Sequence, residues 1–482
     1  MNWVKTFRRT PPPLPASFLF GVATADHQCE AYDPARQDVR DVWERERKLV
    51  MRGKATDFEN RFAEDVELAR QLGCTAFRFS MAWSRVEPAP GRFDETTFDY
   101  YRRLISTIRA AGMEPILTLH HFTWPMHVQH KGGMIDEGFP AIYTSYVAQV
   151  VKRFGQDVRF WITFNEPSQL LYGYIKPGWE PNYFVPPGLA EGATLDDQIA
   201  ALGHLIRHLF IAHTDARQII KAANPNAMVG ANPLLLGLPI WLQRLVNWNT
   251  ARLKSESDLS KQVQRLVVPR YRALAKERNP LKRLFQQLFE PIVKQYSILS
   301  TVLASNWWHL GMAGKLPEFL CPSRCVGQQD LIGLDYYWGI SALRLNRIQA
   351  LIEAGLGRFD RAPVWPGALY DHLKYQARLF PGLPLFVVEN GSVDVADNVD
   401  RVTYLRQHIA QVQRAVRDGV NVIGYTCWSI TSNREWGHPL ANSDFGLYHI
   451  DLDTDPELKR VPTPAAAVYR DLIAQRGIGQ PA

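Results

Sequence analysis

The sequence predicts an α/β fold, a (β/α)8 TIM barrel that forms a single domain and carries a helical insertion. Three observations support this prediction. Strand-like apolar segments alternate with helical patterns along most of the chain, as in successive βα units. Eight strand-like segments are present, and eight parallel strands close a barrel. The 482 residues are 46% hydrophobic, which is enough for one large core.

Each predicted strand is an apolar run bounded by turn-forming residues. In chain order, strands are predicted at 18–25, 75–86, 115–121, 159–166, 228–232, 331–338, 385–389 and 422–429. Helical spacing of apolar residues predicts helices at 62–72, 98–108, 139–154, 197–222, 367–379, 399–417 and 463–475. A doubly wound sheet is the structural alternative, but it does not need the eighth strand. We therefore assign 17–480 to the barrel and 1–16 to an N-terminal extension.

One long interval interrupts this alternation. Residues 240–300 contain no strand pattern but several amphipathic stretches, such as 263–272 and 281–293. Between Trp241 and Ser300 there are twelve Lys or Arg residues and four Asp or Glu residues. This segment accounts for the net charge of +7, and the rest of the chain is close to neutral. We interpret 240–300 as a basic, amphipathic helical insertion within the barrel.

Composition and spacing exclude several classes of protein. No apolar run is long enough for a membrane-spanning helix, and the start of the chain lacks the apolar segment of a secretory signal. Five unevenly spaced cysteines do not indicate a disulfide framework. Because the basic charge is local, we expect no nucleic-acid partner. These features favour a cytoplasmic protein.

No pattern in the sequence predicts a metal ion or another cofactor. The segment His120–His130 contains four histidines but no acidic residue or cysteine, which is weak evidence for a zinc site. The segment Asp451–Asp455 begins like a calcium-binding loop. However, Pro456 and Pro462 stand where such a loop needs glycine and glutamate. We therefore expect no metal and no cofactor.

Two glutamates stand at the ends of apolar strands. Glu166 ends the run 160–166, and Glu389 ends the run 385–389. The carboxyl ends of barrel strands form the face that carries the active site, so we expect both carboxyl groups on that face. Either glutamate alone is explained equally well as a strand-capping acid.

Around these glutamates the sequence resembles glycoside hydrolase family 1, the family of retaining β-glucosidases. The acid/base and nucleophile motifs are matched by Thr163-Phe-Asn-Glu-Pro167 and Val388-Glu-Asn-Gly391. Three further segments resemble the family's motifs in the same order: Phe18-Leu-Phe-Gly-Val-Ala-Thr-Ala25, Phe77-Arg-Phe-Ser-Met-Ala-Trp-Ser-Arg85 and Trp428-Ser-Ile-Thr-Ser-Asn-Arg-Glu-Trp436. The resemblance implies a (β/α)8 barrel that hydrolyses β-glucosides, or β-galactosides, by double displacement.

The resemblance also implies a role for each matching residue. Glu389 would be the nucleophile and Glu166 the acid/base, with Arg78, Asn165 and Tyr337 in support. The expected sugar-binding residues are Gln28, His121, Asn165, Trp428, Glu435 and Trp436, and the resemblance implies that Asn165 binds the 2-hydroxyl of the sugar. Retaining hydrolysis needs two carboxyl groups about 5–5.5 Å apart, one neutral and one ionised. We therefore expect a raised pKa for Glu166.

The sequence departs from the family pattern at four positions near the predicted site. Asp335 stands where the family usually has Asn, which adds a third carboxyl group. Phe122 replaces the usual Trp, and Ser432 and Arg434 replace the usual Asp and Phe. These departures affect the expected sugar preference more than the expected chemistry.

The predicted substrate is an unphosphorylated β-glycoside. Glu435 stands where family members that act on 6-phosphorylated sugars have Ser, and Asp444 lies in the following loop. The insertion 240–300 has the composition of a helix on an anionic membrane surface, although a solvated helical lid explains it equally well. Peripheral membrane contact would suit a glycolipid or another hydrophobic aglycone.

Three functions remain open from the sequence. The first is a retaining β-glycosidase, a β-glucosidase-type O-glycosyl hydrolase. The second is a glycolipid transglycosylase that transfers a β-glycosyl group to another sugar. The third is a catalytically silent sugar-binding protein, against which the presence of both Glu166 and Glu389 argues. The first two differ only in the acceptor, which the sequence does not reveal.

Overall fold

The eight predicted strands form one parallel sheet that curves into a barrel, in the order β5-β4-β3-β2-β1-β8-β7-β6. The strands are β1 Leu19–Ala23, β2 Ala76–Ser80, β3 Glu114–Thr118, β4 Phe160–Asn165, β5 Met228–Asn232, β6 Ile332–Asp335, β7 Leu385–Asn390 and β8 Val422–Trp428. The computed structural model describes residues 11–46, 48–170, 189, 195–250, 254–255, 306–355, 357–394, 396–436 and 440–478.

Backbone hydrogen bonds between the ends of β5 and β6 complete the circle. The amide of Asp330 donates to the carbonyl of Val229 at 2.8 Å, and that of Asp335 donates to Pro233 at 3.1 Å. The amide of Leu235 returns a bond of 2.9 Å to the carbonyl of Asp335. The (β/α)8 barrel predicted from the sequence is confirmed.

Long helices follow most of the strands and cover the barrel. The helices of eight or more residues are Val39–Glu46, Phe58–Gln71, Glu95–Ala110, Phe139–Phe154, Leu195–Ala223, Ile240–Thr250, Ile348–Gly355, Pro366–Leu379, Arg401–Arg417 and Pro464–Ala474. Shorter helical segments are Asp26–Cys29, Trp83–Val86, Met126–His130, Trp307–Met312 and Leu440–Ser443. A two-stranded antiparallel sheet pairs Tyr448–His449 with Val461–Pro462.

Several observed strands are shorter than predicted at their carboxyl ends. The strand predicted at 75–86 ends at Ser80, and Trp83–Val86 is helical. The strand predicted at 331–338 ends at Asp335. In both cases the apolar run continues because the following residues are buried against the barrel rim, so hydrophobicity alone did not mark the end of the strand.

Alternation along β2 shows how a strand supplies both the core and the site. Ala76 belongs to the apolar cluster of the barrel interior, whereas Phe77 and Phe79 pack in the larger cluster with the surrounding helices. Because side chains of a strand alternate between its two faces, Arg78 shares the interior face of Ala76. Arg78 is fully buried and lies where the barrel interior becomes polar.

The two predicted additions to the barrel are described in part. Within the insertion 240–300, the described residues are the helix Ile240–Thr250 and residues 254–255, and the rest of that prediction lies outside them. In the predicted extension 1–16, Leu14 is buried and its amide donates to the carbonyl of Arg476 at 2.8 Å. Among the helices that the structure describes, none has both the length and the apolar character that crossing a membrane requires.

Candidate active site

The predicted nucleophile lies on β7 and is held by two donors. A guanidinium nitrogen of Arg78 donates to Oε1 of Glu389, and the hydroxyl of Tyr337 donates to Oε2 at 2.6 Å. Arg78 and Glu389 are 311 positions apart in the sequence, and the barrel brings β2 and β7 to the same interior. Two hydrogen-bond donors therefore fix the orientation of the Glu389 carboxyl group in the pocket.

The predicted acid/base follows directly after β4 and faces the nucleophile. One carboxylate oxygen each of Glu166, Asp335 and Glu389 lies within 4.8 Å of the other two. Glu166 is buried, and burial together with the charges of Glu389 and Glu435 holds its pKa well above the usual value. Its φ of 36° is uncommon for a residue with a side chain, and such backbone strain is found most often at functional sites.

Arg78 also organises the sugar side of the pocket. Its Nε donates to Thr118 at 3.0 Å, and a second guanidinium nitrogen donates to Oδ1 of Asn165 at 2.6 Å. The Nδ2 of Asn165 donates to Nε2 of His121 at 3.2 Å. Burial, assisted by the nearby charge of Arg78, keeps the pKa of His121 well below its usual value. The imidazole is therefore neutral and can donate from Nδ1 to a sugar hydroxyl.

Four aromatic rings shape the same pocket. The ring of His121 stacks between those of Trp428 and Trp436, with centroid distances of 5.9 Å on each side. Phe122 meets Trp436 edge-to-face at 5.1 Å, and Arg40 donates to the carbonyl of Trp436. Flat apolar walls with polar edges suit a sugar ring, which has apolar faces and a rim of hydroxyls.

A carboxyl and an amide complete the polar rim of this pocket. The indole Nε1 of Trp428 donates to Glu435 at 2.6 Å, and burial is the main cause that raises the pKa of Glu435 to about 8. Gln28 donates to Oδ1 of Asn433 at 2.8 Å. Within the described residues, Oε1 of Gln28 has no hydrogen-bond partner, so it is available to a sugar hydroxyl.

The glycine of the nucleophile motif, Gly391, is needed for steric reasons. A Cβ at Gly391 would lie 2.0 Å from the backbone carbonyl oxygen of Trp428. Any larger residue would push the end of β7 away from β8. Gly391 therefore allows Glu389 and Trp428 to reach the same pocket.

Comparison with known proteins identifies the family. The model of glycosyl hydrolase family 1 matches residues 10–236 and 357–478, which is more than half of the chain. The chain belongs to glycosyl hydrolase family 1. This result confirms the resemblance found in the sequence and the prediction of a β-glucosidase-type glycosyl hydrolase.

Relatives of this family 1 chain align over most of its length. A 1,4-β-D-glucan glucohydrolase of Thermotoga neapolitana is 25% identical over 96% of this chain and 99% of its own length. Beta-glucosidase 13 of Arabidopsis thaliana is 26% identical over 96% and 92%, respectively. The fold matches a β-glucosidase from Thermotoga maritima in complex with deoxynojirimycin, with a TM-score of 0.67, 22% identity and coverage of 97% and 99%.

All ten site residues predicted from the sequence lie within the described part of this family 1 chain, and the structure brings them together. The interval 237–356, which the family model does not match, includes the insertion and also Asp335 and Tyr337. Sequence reasoning missed Asn232, whose Nδ2 donates to Oδ1 of Asn165 at 2.7 Å. A signal was present, because Asn232 is a polar residue at the carboxyl end of a predicted strand. It also missed Asn433, although this residue lies within the segment Trp428–Trp436 that resembles a family motif.

The structure also bears on Asp444, one of the two acids from which an unphosphorylated substrate was expected. The carboxylate of Asp444 accepts from Ser432 at 2.8 Å and contacts His449 at 2.7 Å. These contacts with Ser432 and His449 hold the Asp444 carboxylate in place. The expectation of an unphosphorylated sugar therefore depends on Glu435.

Two groups of residues are close enough to approach one cation in the described part of the chain. They are Glu166, Asp335 and Glu389, and His27, Asp38 and Asp41. In each group a buried arginine already donates to one carboxylate, Arg78 to Glu389 and Arg52 to Asp41. Because an arginine already occupies one carboxylate of each group, we assign neither group to a metal, and the absence of a cofactor stays a prediction.

Proposed function

We propose that this family 1 chain hydrolyses β-glucosides with retention of configuration at the anomeric carbon. The observation that supports this proposal is the separation of at most 4.8 Å between carboxylate oxygens of Glu166 and Glu389. Retaining enzymes hold these groups about 5–5.5 Å apart, whereas inverting enzymes need about 6.5–9.5 Å to admit a water between them. The short separation leaves no room for that water.

In the first step, Glu389 attacks the anomeric carbon from the face opposite the aglycone. A bond forms between a carboxylate oxygen and the anomeric carbon, and the bond to the aglycone oxygen breaks. Glu166 gives its proton to that oxygen, which leaves as an alcohol. The raised pKa of Glu166, caused by burial and by Glu389, keeps this proton available at neutral pH.

In the second step, water attacks the covalent glycosyl intermediate. Glu166, now ionised, takes a proton from the water as its oxygen bonds to the anomeric carbon, and the bond to Glu389 breaks. The carboxylate of Glu389 returns to Arg78 and Tyr337, and Glu166 is again protonated. Two inversions at one carbon produce a β-sugar from a β-glucoside.

The test is the configuration of the first-formed product. An aryl β-glucoside is hydrolysed in an NMR tube, and the anomeric proton is followed before mutarotation. We expect the β-anomer to appear first. The α-anomer as first product would contradict the double displacement, and no cleavage of any β-glucoside or β-galactoside would contradict a glycosidase.

We also propose that the insertion brings the enzyme to an anionic membrane and that its aglycone is hydrophobic. Trp241 and Trp248, seven positions apart on the helix Ile240–Thr250, are 54% and 55% exposed, and Arg244 between them is exposed. The opposite face is docked, because Asn247 donates to the hydroxyl of Tyr375 at 2.7 Å. Exposed indoles beside a cation are typical of helices that lie in a membrane interface.

Membrane contact predicts a loss of vesicle binding when the indoles are removed. We expect Trp241→Ser with Trp248→Ser to lower partition onto phosphatidylglycerol-containing vesicles by about tenfold, because each indole buries apolar area in the interface. Cleavage of a small aryl β-glucoside should stay the same. The matched control is Val461→Ser, which removes a side chain that is 53% exposed outside the insertion. Equal vesicle binding by the wild type and the double variant, or no binding by the wild type, would sink the idea.

The products formed from lipid substrates test the aglycone. The enzyme is incubated with vesicles that carry β-glucosyl or β-galactosyl lipids, and the products are identified by mass spectrometry. We expect free monosaccharide and deglycosylated lipid. Lipids with additional sugars would instead indicate transfer to a sugar acceptor, and unreacted lipids would contradict the hydrophobic aglycone.

A further inference from the structure

Asp335 is a third carboxyl group in the active site that the two-step reaction does not use. It is the last residue of β6 and is fully buried. Its Oδ2 accepts a hydrogen bond of 2.5 Å from Nδ2 of Asn232. Its Oδ1 has no hydrogen-bond partner within the described residues. A carboxyl oxygen of Asp335 lies within 4.8 Å of oxygens of Glu166 and Glu389.

The charges that face Asp335 do not balance three ionised carboxylates. Glu389 lies on β7 and Glu166 follows β4, and the charges of both act on Asp335. The positive group that opposes them is Arg78 on β2, which donates to Glu389. Tyr337 keeps its proton, since burial and these acids hold its pKa well above the usual value. Ionised carboxylates this close in a buried site repel strongly.

The surroundings of Asp335 therefore favour its protonated form. Burial, followed by the charges of Glu389 and Glu166, holds the pKa of Asp335 well above its usual value, and Arg78 opposes this effect. A protonated carboxyl group is a donor as well as an acceptor. Its unpartnered Oδ1 can present that proton to the neighbouring carboxylates while Oδ2 accepts from Asn232.

Asn232 connects Asp335 to the sugar-binding side of the pocket. The same Nδ2 that donates to Asp335 also donates to Oδ1 of Asn165 at 2.7 Å. Arg78 donates to this Oδ1 as well. With Oδ1 of Asn165 occupied twice, its amide nitrogen must point towards His121 and the sugar. Removing the acceptor at 335 would free Asn232 to turn, and Asn165 would lose part of its support.

We propose that Asp335 is a positioning residue that stores an exchangeable proton beside Glu166 and Glu389 and holds Asn165 in place through Asn232. This inference rests on the proposed glycosidase function and deepens it. An amide at this position could support Asn232 but could not ionise. The pH response of this enzyme would therefore depend on the carboxyl group of Asp335.

The test separates the proton of Asp335 from its positioning contact. Asp335→Asn keeps an acceptor for Asn232 and a donor for the acids. We expect its kcat/KM at the pH optimum to stay within about fivefold of the wild type. The alkaline limb of its profile of kcat/KM against pH should move to lower pH by about one unit. The reason is that Glu166 then titrates without a second acid coupled to it. The control is Asp371→Asn, a half-buried acid on the helix Pro366–Leu379, which should leave the limb in place.

A second variant tests the contact through Asn232. Asp335→Ala should lower kcat/KM for a β-glucoside by about tenfold or more relative to its 2-deoxy analogue, since Asn165 is expected to bind the 2-hydroxyl. Asp335→Asn should restore that ratio. An unchanged alkaline limb in Asp335→Asn, or an unchanged ratio in Asp335→Ala, would overturn the inference while leaving the glycosidase function intact. A wild type that does not cleave β-glycosides would overturn the function itself.

Discussion

Replacing Glu389 by Gln is expected to lower kcat/KM on aryl β-glucosides by about 10⁴-fold or more. The amide keeps the size of the side chain but cannot form the glycosyl ester, so the first step has no nucleophile. Arg78 would also lose the carboxylate that it contacts. The measurement is steady-state kinetics with a thermal unfolding curve, which verifies that the variant is folded. A variant with wild-type activity would contradict the assignment of Glu389.

Chemical rescue tests the role of Glu389 independently of the size of the loss. In Glu389→Gly, azide can enter the space left by the carboxyl group and attack the anomeric carbon from the face opposite the aglycone. One inversion then yields an α-glycosyl azide. The same variant without azide is the control, and a β-glycosyl azide as product would place the nucleophile elsewhere.

The second large effect is expected for the acid/base, and it depends on the leaving group. In Glu166→Gln, kcat/KM for an alkyl β-glucoside should fall by about 10³–10⁴-fold, because the poor leaving group needs the proton. For a dinitrophenyl β-glucoside the first step should change little, since that phenolate leaves unprotonated. The matched measurement is the ratio of the two rates in the wild type and the variant. An equal loss on both substrates would contradict a proton-transfer role.

The pH dependence follows from the same assignment. In the wild type, activity is lost as pH rises through the raised pKa of Glu166, because the first step needs its protonated form. Burial and the charge of Glu389 cause this elevation, so the alkaline limb should lie well above the usual range of a carboxyl group. Glu166→Gln has no such group, so its residual kcat/KM on an alkyl β-glucoside, whose leaving group needs the proton, should not show this alkaline limb. A persistent limb would assign the titration to another acid.

Local patterns in the sequence were sufficient for the barrel and for the catalytic pair. Apolar runs of strand length, separated by helical spacing, predicted eight strands that the structure confirms. Glu166 and Glu389 were visible because each ends such a run, and the ends of parallel strands share one face of a barrel. These features depend on residues that are close together in the sequence, so they can be recognised without a structure.

The ends of the strands and the arrangement of the insertion were harder to predict from the sequence. The apolar runs continue past Ser80 and Asp335, the last residues of β2 and β6. Residues on the rim of the barrel can be buried without belonging to a strand. The composition of the insertion 240–300 predicted that it is helical and amphipathic. The docking of Asn247 on Tyr375, which decides that Trp241 faces outwards, is a contact between distant segments that composition does not encode.

The sequence by itself determined the fold class, the family and the positions of Glu166 and Glu389 at the ends of two strands, because each depends on spacing within a short segment. Only the tertiary structure decided which polar side chains meet. Gln28 and its partner Asn433 are 405 positions apart, and Asp335 reaches Asn165 through Asn232 only because the barrel closes between β5 and β6. Protonation states depend on burial and on the distances between such groups. These quantities exist only after the chain has folded.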